Sequence, residues 1–336
     1  MVKAFTFGKF LPFHKGHEAL IRFALSKCDF LSVLICRGDN EKISGETRRE
    51  WIESCFGNIP GLTINIFDYN ESELPRTSVA SREVSGLWAE KFKTLFPDCR
   101  FVITSEPYGY FVAEYMNIEH IMFDVRRALF PVSATAIRSD WLACRDFMPE
   151  SVRRYFMRKV VVSGTESTGK TTLTQRLALH YGCVCVPEAG RDIISNSKSF
   201  SYDDLHIVAR EHARRILEAE RSAAPLVVID TDIHITKSYA RFMFQKDLPA
   251  SRQICDANRA HLYLYLKNDL EYVQDGTRLD RKERDMLDEC HRKTLEAHSI
   301  PFVEIGGRDP QARFEAAVRE IDELLRKSVV ARLMNG

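Results

Sequence analysis

Short apolar runs alternate with longer amphipathic stretches twice along the chain, and the pattern restarts near residue 158. Lys3 to Phe7 is apolar and β-prone. A loop punctuated by Gly and Pro follows, and Ala19, Leu20, Phe23 and Ala24 then recur at helical spacing within Gly16 to Lys27. The pattern predicts strand, loop, helix. Further strands are expected over Phe30 to Cys36, Leu62 to Phe67, Phe101 to Thr104 and Glu119 to Phe123, with helices over Glu46 to Cys55 and Leu87 to Leu95. Strands alternating with helices imply a parallel, doubly wound sheet.

After the restart, Lys159 to Ser163 reads as a β-branched strand that runs into a Gly-rich loop and a helix over Thr171 to His180. Cys183 to Val186, Leu226 to Asp230, His261 to Leu266 and Pro301 to Ile305 supply the other strands of a second parallel sheet. The expected fold class is therefore α/β with two doubly wound domains, 1–157 and 158–336. Trp141 to Arg158 is expected to be a linker helix in spite of Pro149. No repeat or low-complexity segment interrupts this scheme.

Composition narrows the function. The 336 residues carry 48 Lys and Arg against 47 Asp and Glu, so no whole-chain field points to nucleic acid or to an anionic membrane. Phosphate chemistry has to come from local clusters. The nine cysteines (28, 36, 55, 99, 144, 183, 185, 255 and 290) show neither zinc spacing nor a disulfide framework, which fits a reducing cytoplasm. No apolar run approaches the roughly 20 residues of a membrane span, and the opening residues enter a strand, not a leader. A soluble cytoplasmic protein is expected, without room before Phe5 for a helix-turn-helix. A homo-oligomer stays open.

The first chemical signal runs from Gly8 to His17. His14 and His17 stand three apart where a loop becomes a helix, so both imidazoles can face one pocket at that helix's N-terminus. Such a pair can neutralise charge building on an α-phosphate as pyrophosphate leaves, with no covalent enzyme intermediate. Gly8 ends the strand, and Gly16 is expected to let backbone approach a nucleotide. A second helix start, Val132 to Arg138, offers the hydroxyls of Ser133 and Thr135 as caps and Arg138 as a clamp for β- and γ-phosphates. Two anion-binding helix starts in one domain argue against incidental surface histidines.

At these residues the chain resembles the nucleotidyltransferase superfamily with its HxGH and ISxTxxR signatures. Gly8, Phe10, Pro12, His14, Gly16 and His17 match the first. Ser133, Thr135 and Arg138 match the second, with Ala134 where Gly is common. The resemblance implies a Rossmann-like domain that binds the ATP triphosphate through the histidines and the arginine, with Mg²⁺ assisting. Lys9 and Lys15 have two readings, phosphate contacts or solvated lysines. The acceptor is not chosen by the motif. Ser105, Glu106 and Tyr108, directly after an expected strand, are similar to the mononucleotide-recognition segment of nicotinamide mononucleotide adenylyltransferases. Trp88 either stacks on a pyridine ring or belongs to the core, and Arg48 occupies a place where related enzymes carry an arginine.

The second signal is sharper. Gly164, Thr165, Glu166, Ser167, Thr168, Gly169, Lys170 and Thr171 satisfy GxxxxGK[ST] between a strand and a helix. Backbone N–H groups of such a loop wrap a β-phosphate, Lys170 reaches the β- and γ-oxygens, and Thr171 ligates Mg²⁺, with Thr172 following. The metal also needs a carboxylate, and the apolar strand ending at Ile229 delivers Asp230 first and Asp232 second. Glu188 sits where small-molecule kinases of this fold keep a base, with Arg191 beside it to hold the transferred phosphoryl; a surface ion pair is the other reading. Asp275, Gly276, Arg278 and Arg281 resemble a lid closing over phosphates, or else an exposed basic helix start. Arg281 to Arg292 otherwise reads as a solvated helical face.

An HxGH domain followed by a phosphate-loop kinase resembles the bifunctional nicotinamide mononucleotide adenylyltransferase and ribosylnicotinamide kinase of bacterial NAD salvage, over nearly the whole chain. The resemblance implies phosphorylation of nicotinamide riboside by ATP in the second domain, with Arg191, Asp232 and Asp275 toward the riboside. It then implies adenylyl transfer to nicotinamide mononucleotide in the first, giving NAD and pyrophosphate. Members often begin with a DNA-binding repressor domain, so enzyme activity is expected here without repression. Two rivals stay open: another acceptor such as phosphopantetheine, and a second domain that is an ATP-driven switch.

Overall fold

The computed structural model describes residues 1–75, 81–194, 199–222, 224–270 and 279–333, with side chains to residue 326. Two compact units are built on Met1–Tyr155 and on Phe156–Arg326. Among the described residues no helix is long and apolar enough to cross a membrane.

In the first unit, five strands are all parallel: β1 (Lys3–Gly8), β2 (Phe30–Gly38), β3 (Leu62–Tyr69), β4 (Phe101–Thr104) and β5 (Glu119–Met122). Their order is β3-β2-β1-β4-β5. Helices α1 (Lys15–Leu25), α2 (Gly45–Phe56), α3 (Arg82–Leu95) and α4 (Tyr108–Met116) fill the crossovers. The chain winds outward from β1 to β3, then returns to the other side of β1. Loops after β1 and β4 therefore diverge at the carboxyl edge and open a crevice between them, the usual ligand position in such sheets. One side of the sheet is sealed by Phe5, Phe7, Trp88, Phe92 and Phe96, with the rings of Phe5 and Phe96 stacked at 4.5 Å.

After β5 come α5 (Ala134–Ser139), a single 3₁₀ turn at Arg145–Phe147 and α6 (Glu150–Phe156). The expected linker helix over Trp141 to Arg158 is thus not continuous. Pro149 lacks the N–H that an unbroken helix needs, so α6 starts immediately after it. Arg158, expected in that helix, is already the first strand residue of the second unit.

That unit holds β6 (Arg158–Ser163), β7 (Val184–Val186), β8 (Leu226–Asp230), β9 (Leu262–Leu266) and β10 (Val303–Ile305), again all parallel, in the order β10-β9-β6-β8-β7. Every residue of β6 is buried, as a central parallel strand covered on both faces requires. Helices α7 (Lys170–Tyr181), α8 (Gly190–Ile193), α9 (Tyr202–Glu220), α10 (Ile233–Phe244), α11 (Arg252–Asn258), α12 (Arg281–Ala297) and α13 (Pro310–Leu333) complete it. Ser201 with Asp204 and Asp280 with Glu283 form reciprocal caps that fix where α9 and α12 begin. α12 is not the wholly solvated face expected from its charges: Arg284, Leu287, His291, Thr294 and Leu295 are buried along one side.

Candidate active sites

The first crevice is lined by the loop after β1, the start of α1, the segment after β4 and the start of α5. It brings together Gly8, Lys9, Phe10, His14, Gly16, His17, Ser105, Glu106, Tyr108, Ser133, Thr135 and Arg138. His14 is the N-cap of α1, and its Nδ1 accepts the His17 backbone N–H at 3.4 Å. An imidazole that accepts at Nδ1 carries its neutral-state proton on Nε2, leaving an N–H free to donate. The two histidine rings stack at 3.7 Å, with Phe10 edge-on to His17 at 5.0 Å. Burial, then the nearby Arg127 charge, pushes His14 down to about 3. His17 is lowered by burial, His14 and Arg127. Both shifts favour the neutral imidazole.

Gly16 has a steric duty beyond the expected one. A Cβ there would lie 3.0 Å from the His14 ring, so the glycine leaves room for the imidazole itself. Ser133 caps α5 by accepting the Ala136 N–H at 3.0 Å. Arg138 donates to the Leu11 carbonyl at 2.7 Å and to Thr135 Oγ1 at 2.8 Å, which aims its guanidinium into the loop holding the histidines.

Sequence reasoning missed Arg127. It lines the same crevice, pairs with Glu106 at 3.0 Å and acts electrostatically on both histidines. Asp124 and Arg127 both adopt positive φ, 40° and 51°, and the Asp124 carboxylate accepts the N–H groups of Ala128 and Leu129. No local signature marks such a loop.

In the second unit Gly164 has φ 139°, Ser167 61° and Gly169 84°, the backbone of a loop that turns its N–H groups inward. A Cβ on Gly164 would come within 2.8 Å of the Leu266 carbonyl. Lys170 Nζ is buried and donates to the Thr165 carbonyl at 2.9 Å, and Thr168 Oγ1 donates to the same carbonyl at 2.8 Å. Thr171 Oγ1 donates to Asp230 Oδ2 at 2.5 Å. Asp230 lies beside Val162 in the sheet and is fully buried. Burial raises its pKa, Lys170 opposes this, and Glu188 adds to the rise. The next residue, Thr231, has φ 73°, a strained conformation for a β-branched side chain, and its carbonyl accepts from buried His212 at 3.1 Å. Glu188 accepts from Arg191 Nε at 3.2 Å, with the Arg191 side chain largely exposed.

A family model described as an AAA domain matches residues 159–313. The trifunctional NAD biosynthesis/regulator protein NadR of Escherichia coli strain K12 is 27% identical over 345 residues, covering 95% of this chain and 82% of that protein. NadR of Salmonella typhimurium strain LT2 aligns with the same identity and coverage over 346 residues. The chain is similar to NadR over 95% of its length. Two crystal structures agree in fold: NadR protein in complex with NR, 21% identical with a TM-score of 0.67, and NadR protein in complex with NAD and AMP-PNP, 20% identical with a TM-score of 0.65. Each covers 96% of this chain and 96% of the other.

Several expected site residues are engaged by other parts of the protein. Arg48 is fully buried, pairs with Glu41 at 2.6 Å and donates to the carbonyls of Lys9 and Ile43, so it braces the first loop from behind. Trp88 is a core residue: its Nε1–H donates to the Pro75 carbonyl at 2.8 Å and its ring packs edge-on to Tyr69 at 4.9 Å. Lys9 lines the crevice, but its ammonium is held by Glu41 at 2.6 Å and Glu71 at 3.1 Å. Lys15 opens α1 without lining the crevice. Asp232 is the N-cap of α10, accepting from His234 and Ile235 N–H groups, with its other oxygen against His234 Nδ1.

Glu166 accepts from Tyr239 Oη at 3.2 Å and from the Leu279 N–H at 3.3 Å. Thr172 is exposed on α7, and Arg281 is exposed at the start of α12. Asp275, Gly276 and Arg278 lie outside the described residues.

Proposed function

We propose that the chain makes NAD in two ATP-dependent steps, one in each unit. In the second, the 5′-hydroxyl of nicotinamide riboside attacks the γ-phosphorus of ATP, its proton passes to Glu188, and ADP leaves as nicotinamide mononucleotide forms. Lys170 meets the β- and γ-oxygens, and Arg191, beside Glu188, meets the transferred phosphoryl. The observation that carries this reading is the Thr171–Asp230 hydrogen bond at 2.5 Å at the foot of the phosphate loop, with the Glu188–Arg191 pair near enough for Glu188 to perturb Asp230.

The same pair fits Mg²⁺. A hydroxyl and a carboxylate converge with hard oxygen donors. Mg²⁺ takes such sparse protein ligation because phosphate oxygens and water complete its shell. When bound by Thr171 and Asp230, it neutralises charge on the β- and γ-phosphates.

In the first unit, a phosphate oxygen of nicotinamide mononucleotide attacks the α-phosphorus of a second ATP, and pyrophosphate leaves. His14 and His17 donate to the phosphates, Arg138 and Arg127 add positive charge, and Ser105, Glu106 and Tyr108 border the mononucleotide. Arg127 reaches phosphate by exchanging its Glu106 partner for the ligand. The relatives support this assignment, since NadR is named for NAD biosynthesis and is known with NR, read here as nicotinamide riboside, and with NAD and AMP-PNP. A cytoplasmic location accords with these substrates. The test is a panel of acceptors given with Mg-ATP and followed by pyrophosphate release. Nicotinamide mononucleotide is expected to exceed phosphopantetheine by at least tenfold; a pantetheine preference overturns the assignment.

A further inference from the structure

Arg313, in the first turn of α13, belongs to none of the roles above, yet it is 3% exposed and touches the phosphate loop. Its guanidinium ties together three backbone segments. Nη1 donates to the Thr168 carbonyl at 2.8 Å, Nη2 to the Lys267 carbonyl at 3.0 Å, and Nε to the Gly307 carbonyl at 2.6 Å. Asp269 supplies the counter-charge through Nη2 and also accepts the Gly307 N–H at 2.6 Å. The approach is close enough that a Cβ on Gly306 would meet Lys267 Cδ at 2.9 Å, and Gly307 has φ 107°.

Burying a guanidinium is costly unless all its donors are used, and an apolar side chain of similar volume packs a helix at least as well. The donors here go to carbonyls of the phosphate loop and of the segments after β9 and β10. A trans peptide is planar, with C=O and N–H on opposite sides. Holding the Thr168 carbonyl outward therefore turns the Gly169 N–H the other way, toward the interior of the loop. The left-handed φ of Gly169 lets the chain do this at the first turn of α7.

We propose that Arg313 is a positioning residue for the nucleoside triphosphate of the second unit. It fixes the Gly169 N–H on the phosphates and locks the two segments on the β9–β10 side of the loop to it, opposite the side occupied by Asp230 and Glu188. This rests on the reading of that unit as an ATP-dependent kinase. Arg176 of α7 independently holds the start of α13, donating to Pro310 O at 3.3 Å and to Gln311 Oε1 at 2.5 Å and covering the Phe314 ring at 4.4 Å. The helix therefore stays docked when the Arg313 guanidinium is lost.

The test uses the full chain with Arg313→Lys and Arg313→Ala. Both are expected to raise the KM for ATP in riboside phosphorylation at least tenfold, to leave the KM for nicotinamide riboside within twofold, and to spare adenylyl transfer. Ethylguanidinium is expected to restore part of the ATP affinity to Arg313→Ala. An ATP KM within twofold of the parent in both variants overturns the proposal, as does an equal rise in both KM values or loss of both activities with a lowered melting temperature. If the parent chain phosphorylates no riboside, the kinase reading fails by itself. The Arg313 proposal is then read from Mg-ADP binding by calorimetry, in the component that Lys170→Ala removes: tenfold weaker binding in Arg313→Lys supports it, and unchanged binding overturns it.

Discussion

On the proposed reading His14 and His17 donate to phosphate, and the fold favours this by lowering both pKa values and fixing where one proton sits. His14 accepts the His17 N–H at Nδ1, which leaves its Nε2–H as the donor, and its ring lies against Gly16. Gly16→Ala puts a methyl 3.0 Å from that ring. Displacements of about 1 Å at a reacting centre cost on the order of 100-fold. The variant is expected to lose adenylyl transfer by roughly that factor, with riboside phosphorylation within twofold of the parent. Normal NAD formation by Gly16→Ala would contradict the steric account. Trp88→Phe makes the opposite expectation: a core cavity costing about 1–3 kcal/mol by urea unfolding, with the KM for mononucleotide unchanged. A large rise in that KM would restore Trp88 to the site. The histidines were legible in sequence because loop, cap and chemistry lie within ten residues. Arg48 was not, and Trp88 stayed open between ligand and core, because which of these a side chain faces is decided by β3 and α3 packing around it. Arg127 was invisible since its direction depends on two positive-φ residues in a long loop.

At the scale of elements, the strands and the two glycine-bearing loops after β1 and β6 followed from apolar runs bounded by glycine, and the alternation with helices set parallel sheets. Strand order was not readable, and it is strand order that places β4 beside β1 and Asp230 beside the phosphate loop. The linker helix failed at Pro149, a local rule that the charge pattern around it masked. α12 failed differently, because its buried side carries Arg284 and His291, residues whose polarity hides an inward face. The phosphate loop itself gives a sharp expectation. Gly164→Ala must place its methyl against the Leu266 carbonyl at 2.8 Å, and neither backbone can retreat without disturbing β9. Loss of Mg-ADP binding to the second unit, measured by calorimetry, is expected; binding within threefold of the parent would contradict the loop geometry.

Over the whole molecule, buried histidines contribute to the loss of stability in acid. Burial pushes His14 and His291 down to about 3, and lowers His17 and His212 as well. In the unfolded chain each takes up a proton below about pH 6.5. Between about pH 3 and 6.5 the unfolded state therefore binds more protons, so stability is complete above 6.5 and is lost as pH falls through that window. The melting temperature is expected to drop steadily from pH 7 to pH 5, and a flat profile there would contradict the buried, neutral assignment. The two units, each with its own sheet and its own candidate site, lead to the central proposal: two independent sites acting in succession. It is tested most directly by chromatography of the products that Lys170→Ala makes with Mg-ATP. Given nicotinamide mononucleotide, this variant is predicted to form NAD at the parent rate, and given nicotinamide riboside, to form neither mononucleotide nor NAD. Failure to make NAD from the mononucleotide, in a variant that melts like the parent, would contradict the account.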